Sequence, residues 1–161
     1  MRHLLLGAVL LTFLPLTGGC ARRASGPSTV RLVRSVSAVI RSETVTRLDV
    51  LSFPKEIRTV AALTPDDLEV SWFYRITVRR FARSKLKREL VSALQTSAIN
   101  TRPQRDADYR WACIFYKDDG TRAVAMYFDG FGTVGLIAGT PVTLNGRFVR
   151  LLERRFSCAW K

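Results

Sequence analysis

The strongest constraint on the fold is one dipeptide, Asp119-Gly120, set between the runs Tyr109 to Tyr116 and Arg122 to Phe128. Both runs are rich in aromatic and branched apolar residues, and Asp-Gly is a favoured pair for the tight turn between antiparallel strands. Lys117 to Thr121 is therefore expected to close a hairpin, which commits the chain to an antiparallel sheet. Asp129-Gly130 opens a second turn towards a strand over Thr133 to Ile137, although Gly132 and Gly135 leave its register open. A short Val142-Thr143-Leu144 segment follows Gly139-Thr140-Pro141 and precedes Asn145-Gly146.

Upstream, Phe73 to Arg80 alternates, with Tyr74, Ile76 and Val78 on one face and Arg75, Thr77 and Arg79 on the other. Period two with one polar face predicts a half-buried strand. The period then changes. Ser84 to Ile99 places Leu86, Leu90, Ala93, Leu94 and Ser97 along one helical stripe, and Phe148, Leu151, Leu152 and Phe156 form a second stripe. Lys85, Lys87 and Arg88 crowd the first turn of the former, where positive charge opposes the helix dipole. That helix must begin earlier, near Phe81, or meet something negative. Thr46 to Phe53 is a further strand ended by Pro54, and Val30 to Ile40 reads as a strand or docked arm of ambiguous period. Thr64-Pro65-Asp66-Asp67 starts a short helix, with Thr64 as cap, Pro65 in the first turn and acids at the positive end of the dipole. The expected fold is α+β: a single small domain, with a mostly antiparallel sheet of about four to five strands and two main helices on one face.

Residues 1–20 read as an export signal. Arg2 supplies a positive start, and Leu4 to Leu16 is an apolar run broken by Pro15. At about 13 residues this run falls short of the roughly 20 that a spanning helix needs. Gly18-Gly19-Cys20 resembles the lipobox of bacterial lipoprotein precursors, in which the cysteine is acylated and the chain is cut before it. The departure is Thr17, where that class most often has leucine. The resemblance covers residues 1–20 alone. It implies a signal peptide over 1–19, a lipid anchor at Cys20 with a flexible basic tether over 20–29, and a domain over 30–161. Ala21 after the cysteine, in place of an aspartate, leans towards the outer membrane, with the domain facing the periplasm. Arg22 and Arg23 would lie near the headgroups, where a basic residue adds about 1 kcal/mol on an anionic surface.

With Cys20 assigned to lipid, Cys113 and Cys158 remain, and an even pair in an exported protein suggests a disulfide. Such a bridge would pin the last helix to the sheet and close a loop of about 45 residues, worth around 4 kcal/mol in the chain-entropy account. The alternative is two buried thiols packing as small hydrophobes.

The inventory excludes much chemistry. His3 is the only histidine and would leave with the signal peptide, so a Ser or Cys nucleophile has no imidazole base. Ser84 beside Lys85 reads as a helix cap next to a solvated charge. Asp106 with Asp108, Asp118 with Asp119, and Asp129 are candidate carboxylates, but their loop and Asp-Gly settings favour turn geometry. Gly130, Gly132 and Gly135 spell Gly-x-Gly-x-x-Gly, yet they continue into a strand-like run with no helix to meet a phosphate. No catalytic, metal or cofactor site is therefore expected.

Net charge is the remaining signal: 26 basic residues against 13 acidic give +13. The densest cluster is Arg75, Arg79, Arg80, Arg83, Lys85, Lys87 and Arg88, and a second holds Arg147, Arg150, Arg154 and Arg155. Behind an export signal the anions to consider are headgroups, envelope polymers or an acidic protein, not nucleic acid. The sequence points to a tethered, non-enzymatic lipoprotein binding an envelope protein through this face, as an inhibitor or immunity-type protein or an accessory part of an envelope machine. Electrostatic binding of an anionic polymer or membrane is the rival.

Overall fold

The computed structural model describes residues 27–101 and 107–156. The first element corrects the sequence reading: Val30 to Ile40 lies within a helix, α1 (Pro27–Arg41), not a strand or arm. The helical period is present in what is buried, since Thr29, Val36 and Ile40 are fully covered and Val33 partly so. Its many β-branched residues disguised that stripe, because their intrinsic preference is for strands and packing overrides it. α1 also takes Pro27 to Thr29 out of the expected tether.

The chain continues through β1 (Val45–Ser52), α2 (Pro65–Val70), β2 (Tyr74–Val78), a 3-10 turn (Phe81–Arg83) and α3 (Lys85–Thr96). It ends with β3 (Asn100–Thr101), β4 (Tyr109–Lys117), β5 (Arg122–Asp129), β6 (Val134–Ile137), β7 (Thr140–Thr143) and α4 (Arg147–Phe156). The α+β class is as expected, with more strands: all seven form one antiparallel sheet in the order β2-β1-β4-β5-β6-β7-β3. The extra strands are short ones, β3 and β7, too brief to carry a period of their own. β4 and β5 form the expected hairpin, with the Thr121 amide donating to Asp119 Oδ1 at 2.8 Å and Gly120 at φ 82°.

Three helices, not two, cover one face of the sheet. Val36 and Ile40 of α1, Leu90 and Leu94 of α3, and Phe148 and Leu152 of α4 meet Leu48, Val50, Phe115, Met126 and Phe128 from the strands. Phe81 meets Phe115 edge-on, and the rings of Phe128 and Phe148 pack at a tilt. The opposite face is covered at one end only, where Leu68 of α2 sits over Leu51, Ala112, Ile114 and Tyr127. α2 is seated as its cap predicts. Thr64 Oγ1 accepts the Asp67 amide and Asp67 accepts the Thr64 amide, while Glu69 takes bonds from Tyr127 and Arg122 of β5. Among the described residues, nothing packs over the other end of this second face.

Candidate functional site: a basic cleft on the open sheet face

The open end holds a cleft of about 730 Å³, lined by β1, β2, the turn after β2 and the β4–β5 hairpin. Its floor is an acid that the sequence reading missed. Asp49, in the middle of β1, is 1% exposed and accepts Arg75 Nη2 at 2.6 Å and Thr77 Oγ1 at 2.9 Å. Arg47 Nε lies 3.7 Å from the same carboxylate, and its guanidinium stands 4.0 Å over the Tyr116 ring. A carboxylate buried this deeply requires such partners, because an unpaired charge in the interior is strongly unfavourable. One signal was available: an acid flanked by Leu48, Val50 and Leu51 within a strand must either be paired or face something specific.

Above this floor stand Arg79, Arg80, Arg83 and Lys117, none with an ion-pair partner among the described residues. Arg80 holds the left-handed conformation at φ 60°, which turns the chain sharply from β2 into the 3-10 turn and places Arg79 to Arg83 around one rim. The cleft thus carries six cations against Asp49 and Asp118. Several unpaired arginines around a paired, ordered floor suit an anionic partner group, since guanidinium forks grip carboxylates in two-point geometry.

The predicted cluster is divided. Arg75, Arg79, Arg80 and Arg83 meet at the cleft, but Lys85 and Arg88 turn to a shallow groove between α3 and α4 with Arg147, Arg150 and Arg154. Lys87 leaves the binding face altogether. It is 7% exposed, and its Nζ donates to the Ser42 carbonyl at 3.1 Å and to Glu43 at 3.3 Å. There the ammonium meets the negative end of α1, which answers the charge conflict in the first turn of α3. Ser84 caps that turn by accepting the Lys87 amide, and the 3-10 turn precedes it from Phe81.

The candidate carboxylates do structural work. Asp108 accepts the Leu63 amide at 2.9 Å and Arg110 Nε at 2.7 Å; Asp106 lies outside the described residues. Asp119 closes the hairpin, and its bonds from Thr121 hold its carboxyl below the usual range. Asp129 accepts the Thr133 amide at 2.7 Å and the Val134 amide at 3.1 Å. The glycines at 132 and 135 are there for packing. A Cβ on Gly132 would come within 2.6 Å of Val149, and one on Gly135 within 2.8 Å of the Tyr127 carbonyl. Among the described residues no group of three or more His, Cys, Asp or Glu side chains is placed to hold a metal ion.

Arg110 was also missed. It is 6% exposed and ties the β1–α2 loop to β4 through the Ile57 carbonyl at 2.9 Å and Thr59 at 3.2 Å. Cys113 is fully buried in β4, where burial pushes its thiol far above the ordinary range. Cys158, its expected partner, and Cys20, the expected lipid site, lie outside the described residues.

No family model, curated protein or solved structure matches the chain.

Proposed function

We propose that this chain is a periplasm-facing lipoprotein, anchored through Cys20 with the outer membrane favoured, and that its domain is a non-enzymatic binding module for an acidic envelope protein. The observation that carries the reading is the cleft over Asp49, where Arg79, Arg80, Arg83 and Lys117, without ion-pair partners among the described residues, leave a net positive recess at the end of the sheet face that α2 does not cover. An inhibitor or immunity-type protein, or an accessory part of an envelope machine, needs such a preformed contact surface and no reactive group. The leader supports the tether. Residues 21–26 span at most about 20 Å when extended, so a lipid on Cys20 would hold α1 close to the bilayer. Arg31 and Arg34 are exposed on that helix, where anionic headgroups would attract them.

The groove between α3 and α4 favours a second reading, in which Lys85, Arg88, Arg147, Arg150 and Arg154 bind a membrane surface or anionic polymer. The two readings differ in salt dependence, since diffuse attraction is screened and a defined interface resists moderate salt. The test is capture from detergent-solubilised envelopes by the full-length protein at low and high salt, with intact mass measured in parallel. A single stoichiometric protein retained at high salt, on a chain carrying acyl mass at Cys20, supports the first reading. Complete loss in salt transfers the function to the arginine surface, and an unlipidated precursor mass removes the tether.

A further inference from the structure

The cleft is bounded on one side by a sheet edge. β2 is the terminal strand of the seven and, among the described residues, pairs with β1 alone, through the register Leu48–Val78 to Ser52–Tyr74. An edge strand presents backbone donors and acceptors to an incoming chain, and proteins usually guard such edges with charge, proline or a covering segment. Here the guard is one-sided. Arg75, Thr77 and Arg79 point to the cleft face, whereas Ile76 and Val78 on the other face are only partly buried against the main core.

We propose that β2 takes an added antiparallel or parallel strand from the partner protein, with acidic residues at every second position and apolar residues between them. This rests on the proposed reading of the cleft and names the form of the partner segment. Side chains of a paired strand alternate between faces, so its acids would stand beside Arg75 and Arg79 while its apolar residues cover Ile76 and Val78. Main-chain bonds supply affinity in this recognition mode, and the alternate side chains supply specificity. A second copy of the chain is a poor occupant, because pairing β2 with itself sets arginines against arginines on the same face. The chain's own residues 1–26 contain no Asp or Glu and cannot provide the acidic row.

The test uses the full-length, detergent-solubilised protein and three labelled heptapeptides: one alternating glutamate and valine, one of the same composition with its glutamates contiguous, and the alternating peptide N-methylated on one edge. Strand addition predicts that the alternating peptide binds at least about tenfold more tightly than the other two, a difference of about 1.4 kcal/mol. It also predicts slowed amide exchange within Arg75 to Arg79. Equal binding of both orders, weakened for both by Arg79→Glu, overturns strand addition and leaves the basic cleft standing. No peptide binding, with envelope capture unaffected by Arg79→Glu, overturns strand addition and the cleft reading together.

Discussion

Replacing Asp49 by asparagine separates what holds the cleft together from what the cleft does. The carboxylate is 1% exposed and bonded to Arg75 at 2.6 Å and Thr77 at 2.9 Å. Stranding a fully buried charge costs about 3–5 kcal/mol, but that figure is an upper bound at this position. Arg75 and Arg47 keep 44% and 39% of their side-chain surface in water, so both can rehydrate when the carboxylate is lost. Asparagine also retains an acceptor for Thr77. What disappears is one charge-assisted hydrogen bond, worth roughly 1.5–3 kcal/mol. Urea unfolding followed by tryptophan fluorescence should show a loss of about 2 kcal/mol, and Tm should fall by roughly 6–10 °C. Removing the one buried negative charge in a positive recess should at the same time strengthen binding of an acidic partner. A change below about 0.5 kcal/mol, within the range of an ordinary surface substitution, would refute the claim that Asp49 anchors the arginines. Weaker partner binding by the folded variant would refute the electrostatic reading of the cleft.

Other positions test the fold. Lys87→Met leaves the Ser42 carbonyl and Glu43 without their buried donor; about 1–2 kcal/mol should be lost, with faster amide exchange at the end of α1. Arg110→Met uncouples the 54–59 loop from β4 and leaves the Ile57 carbonyl without its donor, and thermal unfolding should show a loss of about 1–3 kcal/mol. Ala138→Asn should stabilise the β6–β7 turn by about 0.5–1 kcal/mol, because Ala138 sits at φ 48° before Gly139 at φ 76°, where Asn-Gly is preferred. Tyr127 and Cys113 both have raised pKa values, chiefly through burial, so the native state resists ionisation that the unfolded chain allows. Their contribution is present below the ordinary thiol and phenol values of 9.0 and 10.0 and is lost as pH rises beyond them. Denaturant midpoints should therefore fall on the alkaline side, and Tyr127→Phe should flatten that decline.

Local signals were readable where one rule decided the outcome. Asp119-Gly120, the Thr64 cap and the alternation from Tyr74 to Arg79 each specify backbone geometry within a few residues, and each element forms where the pattern places it. α1 was hidden because Val30, Val33, Val36, Val39 and Ile40 satisfy strand preference and helical spacing at once, and only contact with α3 and the sheet chooses between them. The cationic run from 75 to 88 was legible as charge but not as geometry. A strand, a 3-10 turn and a helix carry it, so its members point to the cleft, to the α3–α4 groove and, for Lys87, into the protein. The partners of Asp49 and Arg110 were hidden for the same reason, since they lie on other strands or in a distant loop.

The most direct test of the binding account compares two charge reversals of equal size in full-length protein. Arg79→Glu with Lys117→Glu alters the cleft, and Lys85→Glu with Arg147→Glu alters the α3–α4 groove. Capture of the stoichiometric envelope partner at high salt should be abolished by the first pair and retained by the second. Equal loss from both would show that net charge alone is recognised, and loss from the groove pair alone would place the binding surface on the helices and contradict the account.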